Sequence, residues 1–127
     1  MKILIVDDLK SWQYYHLSII KDIFQESEIQ TASSAREAYD KLFENSEKPF
    51  DLIITDMQME NDFEPKYAGE WLIEQIQNFK NYAKTKIVII SATYNIEQIA
   101  THYNVHYLRK TTAQNFQESY NFLKDII

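Results

Sequence analysis

The stretch FDLIITDMQME (50–60) sets a compact apolar run, Leu52 to Ile54 with Phe50 ahead of it, almost directly before an acid, Asp56. A short, continuous Leu/Ile run reads as a strand buried on both faces. Such a strand has no structural need of a carboxylate at its end. The amino terminus repeats the arrangement. MKILIVDD (1–8) is a second apolar run ending in acids, Asp7 and Asp8.

Outward from these two stretches the chain alternates. KILIV (2–6) is the first strand, and from Ser11 to about Gln25 the residues Trp12, Tyr15, Ile19, Ile20 and Ile23 recur at helical spacing. EIQTA (28–32) is a short second strand. A second helix starts at Ser33 or Ser34 and runs to about Asn45, with Glu37 three residues after Ser34 as a capping box and Pro49 closing the segment. FDLIIT (50–55) is the third strand, Met57 to Ala68 a loop containing Pro65, and GEWLIEQIQNFK (69–80) a third helix. KIVII (86–90) is the fourth strand, 95–103 a shorter helix, and VHYL (105–108) the fifth strand. From Thr112 onward, Phe116, Tyr120, Leu123 and Ile127 again recur at helical spacing. A strand–helix unit repeated five times predicts an α/β fold: a doubly wound, five-stranded parallel sheet with helices on both faces, in three layers.

Composition narrows what such a domain can do. A chain of 127 residues, 45% apolar and 25% charged, fits one globular domain. Its formal charge of −6, with no basic stripe, argues against direct binding of nucleic acid or an anionic membrane. There is no cysteine, which removes disulfides, thiolate metal sites and thiol nucleophiles. The apolar runs are far too short to span a membrane or serve as a signal peptide, so a cytoplasmic location is expected. The single glycine, Gly69, rules out a dinucleotide fingerprint and a Walker loop, which need several. His16, His102 and His106 are scattered without ligand spacing and read as surface or packing residues.

In open parallel sheets, ligands sit beyond the carboxyl ends of the strands. Asp7 and Asp8 follow the first strand, Asp56 the third, Ser91 the fourth and Lys110 the fifth. All five project from one edge, and three carboxylates converge there if strands one and three are neighbours. Carboxylates that close need a counter-charge. Oxygen ligands without His or Cys favour a hard ion, Mg2+ or Mn2+. Lys110 adds a point charge for a phosphoryl oxygen, and Ser91 a hydroxyl. The set suits a carboxylate nucleophile that forms an acyl phosphate.

The motifs VDD after strand one, TDM after strand three, SAT after strand four and YLRK after strand five, in this order, resemble the receiver domain of two-component response regulators. The resemblance spans essentially the whole chain, 1–127, as a single receiver domain with no output domain. It implies the flavodoxin-like (βα)5 fold with strand order 2-1-3-4-5. It implies that Asp56 accepts a phosphoryl group from a histidine kinase or phosphotransfer protein. Asp7 and Asp8 would hold Mg2+, Asp8 directly and Asp7 partly through water, with Asp56 and the backbone carbonyl of Gln58 as further ligands. Ser91 and Lys110 would engage the phosphoryl group, and Tyr107 would report the switch by its rotamer. Side chains at Gln58 and Thr93 would tune the lifetime of the phosphate. The domain would be a switch with self-phosphorylation and slow self-dephosphorylation, not a metabolic enzyme. It would signal to a downstream protein through the face of the fourth helix, fifth strand and fifth helix. The resemblance also allows a phosphorylation-dependent homodimer.

The chain departs from the family pattern at three places. Thr111 follows the lysine where the family usually has a proline joined by a cis bond, so a trans bond, or a strained cis one, is expected here. The stretch from Asp56 to Gly69 is several residues longer than usual and carries Glu60, Asp62 and Glu64, which read as a solvated loop, with added metal ligands or a gate on access as the alternative. The approach HYNVHYLRK is slightly short, so an abbreviated fourth helix is expected. Two other readings stay open. One is a receiver-like interaction module that no longer switches, for which Thr111 and the acidic loop speak. The other is a Mg2+-dependent phosphohydrolase with an aspartate nucleophile, against which Gln58 stands where such enzymes place a second acid.

Overall fold

The computed structural model of the chain describes residues 1–59 and 68–127. The expectations for Glu60, Asp62, Glu64 and Pro65 lie outside the described residues. Five parallel strands, β1 (Lys2–Val6), β2 (Glu28–Ala32), β3 (Leu52–Thr55), β4 (Lys86–Ser91) and β5 (His106–Arg109), form one sheet in the order β2-β1-β3-β4-β5. The central strands β1, β3 and β4 are almost wholly buried, which is why they read as unbroken apolar runs. The edge strands are partly exposed and carry Gln30, Thr31, His106 and Tyr107.

Side chains alternate across the sheet and build two cores. Ile3, Ile5, Leu52, Ile54, Val88 and Ile90 face α1 (Lys10–Ile23) and the carboxyl-terminal segment. Leu4, Val6, Ile53, Ile87 and Ile89 face α2 (Ala35–Glu44), α3 (Ala68–Asn78) and α4 (Ile96–Tyr103). A 3-10 turn, Lys80–Tyr82, follows α3. The cap of α2 is the expected Ser34, with the return bond of Glu37 reaching Ser33 instead of Ser34. Ser34 Oγ accepts from the Glu37 N–H at 3.0 Å, and the Glu37 carboxylate accepts from the Ser33 N–H at 2.7 Å.

The last helix is not continuous as its apolar spacing predicts. It divides into α5 (Lys110–Asn115), a 3-10 segment (Gln117–Phe122) and α6 (Leu123–Ile126). Phe116 breaks the run, with extended dihedrals of φ −137° and ψ 99°. The physical reason lies on α1. The Tyr15 hydroxyl donates to the Ala113 carbonyl at 2.6 Å and lies 3.2 Å from that of Gln114. These are the carbonyls a longer helix would use for its next turn. Thr111, Thr112 and Asn115 also favour helix weakly. Of the four spaced apolar residues, Tyr120 and Leu123 are buried while Phe116 and Ile127 stay exposed.

At the end of α4, Asn104 adopts a left-handed conformation, φ 56° and ψ 50°. Glycine and asparagine tolerate this geometry, and a β-branched side chain does not. Asn104→Val should therefore lower stability by about 1–2 kcal/mol, and Asn104→Gly by much less, in urea denaturation. Equal midpoints for the two variants would contradict this account.

Candidate functional site

Parallel register puts the candidate residues at one edge of the sheet. Val6 pairs with Thr55, so Asp7 and Asp56 each come one residue past that pair. The Asp56 N–H donates to the Val6 carbonyl at 3.0 Å and the Asp7 N–H to that of Ala32 at 3.1 Å. Ser91 pairs with Arg109, the residue before Lys110. The expected convergence is present. Ligand oxygens of Asp7, Asp8 and Asp56 lie within 4.8 Å of one another.

Lys110 closes the cluster. Its ammonium donates a hydrogen bond to Asp56 Oδ2 at 2.9 Å and forms an ion pair with Asp7 Oδ2, also at 2.9 Å. Asp7 is 0% exposed, Asp56 6% and Lys110 8%. Asp56 Oδ1 accepts from the Met57 N–H at 2.6 Å, and the Gln58 N–H lies 3.4 Å away. The Leu9 N–H donates to Asp7 Oδ1 at 3.0 Å. Asp7 Oδ2, in contrast, is buried without a hydrogen bond, its ion pair to Lys110 lying off hydrogen-bond geometry.

The donor chemistry tests whether a metal fits. Asp7, Asp8 and Asp56 offer carboxylate oxygens only, and such an all-oxygen set suits a hard divalent cation such as Mg2+. The buried Asp7 oxygen without a hydrogen bond fits the same requirement. Burial alone would raise the Asp7 pKa, yet the His16 ring, the Leu9 N–H and Lys110 outweigh it, and the pKa falls below its ordinary 3.8. Burial alone would lower that of Lys110, yet the Asp56 and Asp7 carboxylates outweigh it and raise it above 10.5.

Ser91 is buried at the end of β4, and its Oγ accepts from the Thr93 N–H at 3.3 Å. The Thr93 hydroxyl donates to Asn95 Oδ1 at 2.9 Å. The Gln58 side chain is exposed. Tyr107 is 37% exposed on β5, with the Arg109 guanidinium 5.9 Å from its ring centre. Lys110 is the first residue of α5, which runs directly through Thr111.

Two residues of the site had no functional reading in the sequence. His16 is not on the surface. It is 1% exposed, its Nδ1 lies 2.8 Å from the Tyr120 hydroxyl, and its Nε2 lies 3.8 Å from Asp7 Oδ2. Gly69 packs on the site backbone. A Cβ there would stand 2.1 Å from the Asp56 carbonyl oxygen and 2.7 Å from Met57 Cα, and the Gly69 N–H donates to the Met57 carbonyl at 3.0 Å. The signal was its being the sole glycine in the chain.

The sequence model for the response regulator receiver domain matches residues 3–115. The chain belongs to the response regulator receiver domain family. This receiver resembles the chemotaxis response regulator CheY4 of Vibrio cholerae at 23% identity and a TM-score of 0.76, covering 99% of this chain and 98% of that one. A response regulator receiver domain protein from Clostridium thermocellum is 28% identical with a TM-score of 0.63, over 99% and 98% of the two chains. TrrA from Thermotoga maritima, solved in complex with Mg2+-BeF, is 24% identical with a TM-score of 0.70, again over 99% and 98%. Among curated proteins none matches significantly. The receiver's fold, an α/β flavodoxin-like sheet of order 2-1-3-4-5, is as expected. No helix among the described residues is long and apolar enough to cross a membrane.

Two predictions follow from the site's geometry. Gly69→Ala forces apart backbone atoms with little room to yield, so stability should fall by about 1–3 kcal/mol. An unchanged urea midpoint would show that α3 can shift freely. The lowered pKa of Asp7 stabilises the fold above the ordinary 3.8, and that stability is lost as pH falls through the lower folded-state value. The raised pKa of Lys110 stabilises below 10.5 and is lost as pH rises beyond it. In metal-free buffer, the acid limb of stability against pH should be shallower in Asp7→Asn than in the wild type. Parallel limbs would contradict the assignment.

Proposed function

We propose that Asp56 is the phosphoacceptor of this receiver and that Mg2+ assists the transfer. The observation that carries this reading is the cluster itself: Asp7, Asp8 and Asp56 bring carboxylate oxygens within 4.8 Å of one another, and one lysine bridges Asp7 and Asp56. Asp8, Asp56 and the Gln58 carbonyl would hold the ion, with Asp7 beside them through water. When bound, Mg2+ neutralises oxygens of the incoming phosphoryl group. The mixed complex of TrrA with Mg2+-BeF supports the same chemistry by analogy.

The residues of this chain do the rest. A carboxylate oxygen of Asp56 attacks the phosphorus of a kinase phosphohistidine. The new O–P bond forms as the P–N bond breaks, and the imidazole leaves with its electron pair and takes up a proton. The Lys110 ammonium, already on Asp56 Oδ2, follows charge onto a phosphoryl oxygen. The Ser91 hydroxyl, now accepting from the Thr93 N–H, turns to donate to the same group. Water later attacks the phosphorus, the Asp56 O–P bond breaks, inorganic phosphate leaves and the carboxylate is restored. While the phosphoryl group is in place, its contacts with Ser91 and Lys110 bias two packings of α4, β5 and α5, and Tyr107 reports them. That face exposes Tyr94 (85%) and Tyr107 (37%) for a downstream protein. The exchange with a kinase is assigned to the cytoplasm.

Incubation with phosphoramidate and Mg2+ should add one phosphoryl group to the wild type and none to Asp56→Asn. Chelation of Mg2+ should abolish the reaction, and Lys110→Ala should slow it by about 10²-fold, the scale for losing one charge-stabilising donor. Labelling that persists in Asp56→Asn would defeat the assignment. Steady turnover of simple phosphomonoesters would favour a phosphohydrolase, and beryllofluoride binding that leaves the NMR signals of Ser91 and Tyr107 unmoved would favour a non-switching module.

A further inference from the structure

The Lys110 ammonium touches more than acids. Its Nζ lies 4.8 Å from the ring centre of Trp12, within the range of about 6 Å for attraction between a cation and an aromatic face. Lys110 begins a helix of only six residues and follows an extended residue, Arg109. A lysine side chain is long and free to rotate, so its pose needs support from outside its own helix.

Trp12 is well placed to give that support because it is itself held on α1. Tyr15 meets it edge-on, with ring centres 5.4 Å apart and planes at 84°. His16 lies on its other neighbour position, with ring centres 5.3 Å apart. Trp12, Tyr15 and His16 stand at i, i+3 and i+4, on one face of the helix. Two of the three are tied to the segment that Lys110 begins. The Tyr15 hydroxyl donates to the Ala113 carbonyl of α5, and His16 Nδ1 pairs with the Tyr120 hydroxyl. The half-buried indole therefore cannot swing away from Lys110 without disturbing contacts at both ends of this arrangement.

We infer that Trp12 is a positioning residue for phosphoryl transfer: its indole face holds the Lys110 ammonium beside Asp56. This rests on the reading of Asp56 as the phosphoacceptor. An apolar side chain of similar bulk would fill the same space without attracting the ammonium. Packing alone therefore predicts no dependence on the aromatic face. Positioning predicts a rate that tracks the negative potential of the ring. As Lys110 moves onto a phosphoryl oxygen, its distance from the indole also changes, so Trp12 emission should respond.

The experiment uses the whole chain with Trp71→Phe, which leaves Trp12 as its only tryptophan. Phosphorylation by phosphoramidate is followed at saturating Mg2+. Trp12→Leu should be roughly five- to thirtyfold slower, the rate equivalent of about 1–2 kcal/mol, and Trp12→Phe should recover most of the loss. Mg2+ affinity should stay unchanged in both. Tryptophans bearing successive fluorine atoms drain the ring face while keeping its shape, so the rate should fall with each fluorine. This series keeps the test decisive if Trp12→Leu fails to fold. A flat fluorine series, or a folded Trp12→Leu with the wild-type rate, overturns the inference while leaving Asp56 in its role. A wild type that takes up no phosphoryl group overturns the reading of Asp56 and this inference with it.

Discussion

One ammonium group holds the site together. Lys110 sits 2.9 Å from a carboxylate oxygen of Asp7 and 2.9 Å from one of Asp56, in a setting from which water is largely excluded. Opposite charges that close and that buried interact far more strongly than a surface pair. Without the lysine, the Asp7 and Asp56 carboxylates would lose the cation they share. Beside that bridge, the all-oxygen set of Asp7, Asp8 and Asp56 has the donor chemistry that suits a hard divalent cation.

The rest of the fold serves to bring these groups together and keep them there. Parallel pairing of β1 with β3 and of β4 with β5 sets the acids and the lysine at the same sheet edge although they lie far apart in sequence. Both faces of the sheet are covered, so that edge cannot flex freely. Gly69 lets α3 lie directly on the Asp56–Met57 backbone. From the opposite face, α1 supplies Trp12, Tyr15 and His16 beneath Lys110 and along α5.

Much of this was legible in the sequence, for a definite reason. Central parallel strands such as KILIV and LIIT are buried on both sides, so their signal is continuous, and an acid at the end of such a run stands out. The positions of Asp7, Asp8, Asp56 and Lys110 at one edge follow from that pattern together with the topology. Contacts between distant side chains were not legible. The break at Phe116 depends on a Tyr15 hydroxyl that takes the Ala113 carbonyl, and apolar spacing cannot register a hydrogen bond made across the molecule. His16 looked like any isolated histidine because its partners, Tyr120 and Asp7, are remote in the chain. Trp12 fell on the apolar face of α1, as expected of a core residue, and its contact with Lys110 depends on where α5 begins.

The most direct test of the central claim is a crystal structure of the chain with Mg2+ and beryllofluoride. The account predicts the ion against Asp8, Asp56 and the Gln58 carbonyl. It predicts the Lys110 ammonium within hydrogen-bond distance of a fluorine, released from its ion pair with Asp7. An ion bound elsewhere, or a Lys110 still bridging Asp7 and Asp56 with beryllofluoride in place, would contradict it.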